Sequence, residues 1–240
     1  MNLLEIVEHR PWPLPSGPWF MVQNWYDLLF SHWPVPGEIL RPMIPAGLTL
    51  DTFQGQSWVS ITPFHMDFRP RGLPAWPATW RFPELNCRTY LHRDGKPGVF
   101  FFSLDAASRT AVWGARAFYR LPYYFSRMRV EKRGDFISYS SLRGDARWRG
   151  IYGPVAPERR AAPGTLEHWL TERYCLYAAK GDGIYRAEIH HVPWSLHDAH
   201  AEIEENTIAR SAGISLPAVP PLLQFSFRLN VLVWPLRRVA

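Results

Sequence analysis

The sequence predicts a single, mainly β (α+β) domain, and three observations carry that expectation. A 240-residue chain with 47% hydrophobic side chains can bury one sizeable core, and such lengths are common for single barrels and sandwiches. Aromatics make up 15% and prolines number 23, which suits short strands joined by turns better than long helices. Apolar, strand-like runs recur between turn residues along the whole chain, with no internal repeat or composition shift to mark a second domain.

Taken in order, Trp12 to Phe30 mixes prolines and aromatics before Asn24 to Phe30, a core segment that reads equally as strand or short helix. Ser31 to Gly37 reads as a turn, because Pro34 and Pro36 remove ladder donors and Gly37 admits positive φ. Glu38 to Leu40 fits a helical turn stopped by Pro42 and Pro45. Ser57 to Phe64 is β-branched and aromatic, hence a strand. Arg69 to Pro83, with its prolines, reads as a long loop of the kind that carries lids or binding surfaces. Glu84 to Leu91 and Val99 to Leu104, joined through Asp94-Gly95, form an antiparallel hairpin.

Ala107 to Tyr119 fits a helix with Ala111, Ala115 and Phe118 on one stripe, ended by Pro122. Asp135 to Leu142 alternates as a strand, and Arg147 to Tyr152 is a weaker strand. Thr165 caps a short helix through Arg173. Tyr174 to Ala179 and Ile184 to His191 make a second hairpin around Gly181-Asp182-Gly183. Asp198 is expected to cap a helix reaching Arg210 and closing near Gly213. Leu222 to Trp234 returns as a strand.

Composition also narrows function. No apolar run reaches the roughly 20 residues of a membrane span, and no secretory leader is evident, so a soluble cytoplasmic protein with no membrane partner is expected. Cys87 and Cys175 read as buried thiols rather than a disulfide framework. The net charge of +6 is spread along the chain, without a basic helix or nucleic-acid motif, so no nucleic-acid partner is expected. His190, His191, His197 and His200 are close in sequence but poorly spaced for ligation, so no metal and no cofactor is expected. Signatures of hydrolases, kinases and dinucleotide binders are absent. A homo-oligomer is compatible with the sequence, which is silent on assembly.

Side chains alternate across a strand, so Glu84, Asn86, Arg88 and Tyr90 share one face, and Leu85, Cys87, Thr89 and Leu91 the other. The polar face fits a strand exposed to water on one side. Val99 to Phe102 in the partner strand instead favour burial on both sides, which would enclose it. Enclosed polar groups need one another or a ligand, because each unpaired one costs roughly 1–3 kcal/mol. Arg88 suits a two-pronged contact with a carboxylate. Glu84 suits an acid, a base or the arginine's partner.

Gln23-Asn24-Trp25 with Leu28 to Trp33, and Phe82 to Tyr90, resemble the YqjF-like family, as do Gly98 to Asp105, Leu121-Pro122-Tyr123, and His191 to Trp194 with Leu196. That family is similar in fold to acetoacetate decarboxylase. The resemblance implies a cone-like, closed, largely antiparallel β-barrel with a few peripheral helices around a polar pocket. It also implies that Glu84 and Arg116 match the pocket carboxylate and arginine. Tyr123 and Tyr124 then stand where the decarboxylase has two lysines. Amine catalysis needs a lysine of lowered pKa, the very case for which acetoacetate decarboxylase is a standard illustration. Here Lys96, Lys132 and Lys180 all fall in turn-like, solvated contexts.

Two readings follow. In the first, Glu84, Asn86, Arg88, Tyr90, Arg116, Tyr123 and Tyr124 line a pocket for a small carboxylate- or carbonyl-bearing ligand. In the second, the polar face is a structural network in a non-catalytic interaction or scaffold protein, whose aromatic loop from Pro70 to Pro83 meets a partner.

Overall fold

The computed structural model describes residues 2–73 and 81–240. Its frame is a sheet of long strands: β1 (Met21–Val35), β2 (Thr49–Leu50), β3 (Ser57–Pro70), β4 (Phe82–Arg93) and β5 (Lys96–Ala106). The β4–β5 hairpin turns on Asp94 and Gly95, with φ of 51° and 70°. Two successive positive values match the right-handed twist of the flanking strands. Short β6 (Tyr123–Phe125) follows, then β7 (Arg127–Arg133), β8 (Phe136–Arg143) and β9 (Ala146–Pro154). The chain ends through β10 (Cys175–Lys180), β11 (Gly183–His190), β12 (His197–Asn206), β13 (Leu222–Val233) and β14 (Arg237–Arg238). Among the described residues the α-helices are few and short: α1 (Gly37–Leu40), α2 (Arg109–Phe118), α3 (Leu166–Thr171) and α4 (Ile208–Ser211).

Strands run β11-β10-β5-β4-β3-β1-β13, and β13 pairs back onto β11 through Ile189↔Val233 and His190↔Leu232. The ring is therefore closed and largely antiparallel, with a parallel seam where Leu176 and Tyr177 of β10 meet Val99 and Phe100 of β5. A second sheet, β12-β9-β8-β7, branches from β13 and covers the outer face of β1, β3 and β4. Alternation divides these strands between two cores. Phe30, Phe64 and Leu104 point into the ring, while Leu29, Ile61, Leu85 and Cys87 pack outward on Trp148 and Tyr152. The two ends of the ring also differ. Leu170 of α3 plugs one end against Tyr90 and Val99, and Ala111 and Val112 of α2 join the apolar cluster at the other.

Several expectations are corrected. Ser31 to Val35 continues β1 instead of turning. Pro34 is tolerated because β13 stops at the His32↔Leu222 pair, leaving β1 an edge on that side. The helix expected from Asp198 to Arg210 is strand β12, whose burial alternates strictly from His197 to Glu204; that period of two packs Ala199, Ala201 and Ile203 onto the outer core. Only Ile208–Ser211 is helical there. The expected loop begins later and ends earlier than Arg69 to Pro83, since β3 reaches Pro70 and β4 starts at Phe82; residues 74–80 of it lie outside the described residues. Phe118 ends the α2 stripe but is 65% exposed. Among the described residues, no helix is long and apolar enough to cross a membrane.

Candidate functional site

Under α2 the ring encloses a cavity of about 260 Å³. Its polar wall is β4, which presents Glu84, Asn86 and Arg88 at successive inward positions, with Thr62 of β3 opposite Asn86. Tyr123 reaches the same wall because β6 pairs beside Leu104 and Asp105 of β5. Trp25, Phe64, Phe101, Leu104 and Trp194 supply apolar surface, and Thr110, Gly114 and Phe118 of α2 form the mouth.

Glu84 is 2% exposed. Its Oε2 accepts from the Tyr123 hydroxyl at 2.9 Å, and its backbone oxygen accepts from Tyr139 at 2.8 Å. Burial pushes the carboxyl up to about 8, against the Tyr123 hydrogen bond and with a further push from Asp105. At neutral pH Glu84 is thus mostly a neutral acid that can donate its own proton. Burial, and then Glu84, likewise hold the Tyr123 phenol well above its ordinary range.

Arg88 is 8% exposed. Its guanidinium lies 5.2 Å from the Phe30 ring centre and 6.0 Å from that of Tyr90. The other buried arginines have acid partners: Arg10 pairs with Glu188 at 3.8 Å and Arg173 with Asp51 at 2.5 Å. Arg88 pairs with no carboxylate among the described residues, and its Nε has no acceptor. Asn86 Oδ1 and Thr62 Oγ1 are also buried without partners.

Glu84, Asn86, Arg88 and Tyr123 are therefore brought together. The remaining candidates adjoin the cavity from outside. Tyr90 closes the floor, its hydroxyl within 2.6 Å of Ser60 Oγ and 3.2 Å of His32 Nδ1; burial and the Arg88 charge press His32 down to about 3. Arg116 is exposed, and its Nε donates to the Tyr123 carbonyl at 2.6 Å. Tyr124 is stacked between Arg116 at 5.4 Å and Arg143 at 4.2 Å. Sequence reasoning missed Thr62, Arg173, His191 and Trp194 on the wall. Thr62 was accessible from the alternation of β3; the other three come from distant segments that only the ring closure brings in. Of the neighbouring histidines, His190 instead faces Arg10 and the Leu3 carbonyl, docking the N-terminal segment.

A model of the DUF2071 family, described as an uncharacterized conserved protein, matches residues 22–230. The chain belongs to this family. It is 47% identical over 240 residues to the uncharacterized protein YqjF of Bacillus subtilis, covering 98% of this chain and 99% of that one. Among solved structures it is similar to the enduracididine biosynthesis enzyme MppR complexed with pyruvate, with a TM-score of 0.67 at 9% identity over 95% of this chain and 93% of that one. It is also similar to acetoacetate decarboxylase from Legionella pneumophila, with a TM-score of 0.64 at 13% identity over 98% and 94% of the two chains. The fold is thus acetoacetate decarboxylase-like. Of this chain's lysines, Lys96 pairs with Glu188 at 2.7 Å and Lys132 with Asp27 at 2.8 Å, while Lys180 ends β10 at its turn. No lysine is among the described lining residues.

Proposed function

We propose that the cavity binds a small ligand bearing a carboxylate or carbonyl, with Arg88 holding its anionic end. The observation that carries this reading is the buried Arg88 guanidinium, without an acid partner among the described residues. Such a charge costs several kcal/mol when left uncompensated, and an entering carboxylate supplies charge-assisted hydrogen bonds in its place. Glu84, two inward positions further along β4 and neutral through burial, puts no second charge on the wall, where an ionised neighbour would repel the anion. MppR, a protein of the same fold, is described in complex with pyruvate, a keto carboxylate. Among the described residues the wall offers no lysine amine to form a Schiff-base adduct, so binding here does not extend to amine-catalysed decarboxylation.

The test is thermal unfolding of the purified protein against small keto acids, carboxylates and lactones, with Arg88→Ala and Arg116→Ala alongside. A ligand at a hundred times its Kd adds about 3 kcal/mol, a rise of several degrees for a chain of this size. Stabilisation by carboxylates that Arg88→Ala abolishes and Arg116→Ala preserves is expected. No shift across the panel would transfer the reading to a protein whose polar face is structural.

A further inference from the structure

The cavity extends far beyond the reach of a small keto acid seated on Arg88. Arg88 lies deep, one inward position from Tyr90 on the floor, whereas Phe82 and Phe118 stand at the α2 end. Along β4 the rise from Arg88 to Phe82 is about 20 Å. Facing that path are Trp25, Phe64, Met66, Leu121 and Val233, which offer water almost no hydrogen bonds. The volume of about 260 Å³ is many times the roughly 10–15 Å³ of such space that one water needs, and more than a three-carbon acid fills. Charge narrows the ligand further. Arg173 also reaches the wall but is engaged by Asp51, so Arg88 is the one lining cation without an acid partner among the described residues. One anionic group is called for, not two.

Resting on the binding reading above, we infer that the ligand is a monocarboxylate with an extended apolar tail of roughly six or more carbons, its head on Arg88 and its tail directed at α2. Glu84 and Tyr123 flank this tail, the Tyr123 hydroxyl donating to Glu84 Oε2, and with Glu84 neutral the path is uncharged beyond the head.

Calorimetric titration of the full chain with butanoate, hexanoate, octanoate, dodecanoate, pyruvate and octanol separates this inference from the reading beneath it. Each added methylene is expected to tighten binding about fourfold, with pyruvate and butanoate weakest and octanol well below octanoate. Gly114 lines the mouth, and a Cβ built there meets no atom within 4 Å. Gly114→Leu therefore keeps a sound helix while taking volume from the far end of a long tail, and is expected to weaken dodecanoate about tenfold and leave butanoate unchanged. Pyruvate binding as tightly as octanoate would overturn the tail while sparing the carboxylate site. Octanol matching octanoate would overturn the carboxylate site, and no binding by any of them would overturn both.

Discussion

Replacing Glu84 by glutamine tests the protonation state on which the site's chemistry rests. An unfolded glutamate titrates near 4.5, and the folded one near 8. Below pH 4.5 both states hold the proton and the group contributes nothing to the pH dependence. Between 4.5 and 8 the folded protein holds the proton that the unfolded chain has released, so stability falls as pH rises, by about 1.4 kcal/mol per pH unit. Above 8 both states are ionised and the full cost of burying the carboxylate is present. From pH 5 to pH 7.5 the loss reaches about 3 kcal/mol. Glutamine keeps the shape, accepts from the Tyr123 hydroxyl as before, and does not titrate. Urea unfolding of wild type and Glu84→Gln at half-unit steps should therefore show a difference that moves in favour of the variant by about 3 kcal/mol across that window. The other titrating groups are common to both proteins and cancel. A difference that stays flat from pH 5 to pH 8 would refute the reasoning, because it would mean that Glu84 is ionised in the folded protein as readily as in the unfolded one.

Two further perturbations probe the frame around the site. Asp51→Asn strips the partner from Arg173, whose guanidinium is 5% exposed and stacks 4.2 Å from the Trp169 ring centre; a loss of about 3–5 kcal/mol in urea unfolding is expected, and a loss below 1 kcal/mol would show that Arg173 finds other acceptors. Gly98→Ala places a Cβ 2.6 Å from both the backbone oxygen and the sulfur of Cys175 at the parallel β5–β10 seam. Thermal unfolding should register about 1–3 kcal/mol of overpacking, and an unchanged midpoint would mean that the seam yields without strain.

The elements that the sequence made legible are those whose signal is local. Asp94-Gly95 sets a turn that two positive φ values require, and the strands on either side alternate cleanly, so β4, β5 and the shared face of Glu84, Asn86 and Arg88 could be read directly. The errors arose where local and tertiary signals compete. Asp198 is a good cap residue, but His197 to Glu204 alternates with period two, and the inward Ala199, Ala201 and Ile203 follow that period onto the outer core. Prolines suggested a turn at Ser31 to Gly37, but whether a proline interrupts a strand depends on which neighbour has already ended, and no local pattern contains that. The cavity wall divides in the same way. Glu84, Asn86 and Arg88 follow from one strand's alternation, whereas Arg173, His191 and Trp194 arrive only through the β11–β13 closure.

Because β4 faces two different interiors, its alternate residues answer to different constraints. Leu85 and Cys87 pack against Trp148 and Tyr152 in a well-filled core, where shape complementarity dictates the side chain. Glu84, Asn86 and Arg88, offset by one position, occupy a wall where an apolar residue would pack more cheaply and where several polar atoms lack partners. One step further along the same face Tyr90, Ser60 and His32 bond one another, while Nε2 of His32 stays buried without a partner. Orphaned atoms thus occur in both places, Nε2 of His32 at the floor and Asn86 Oδ1, Thr62 Oγ1 and Arg88 Nε on the wall; what sets the wall group apart is that Thr62, Asn86 and Arg88 line the open cavity and His32 does not, and it is those atoms, together with the space in front of them, that favour a bound ligand.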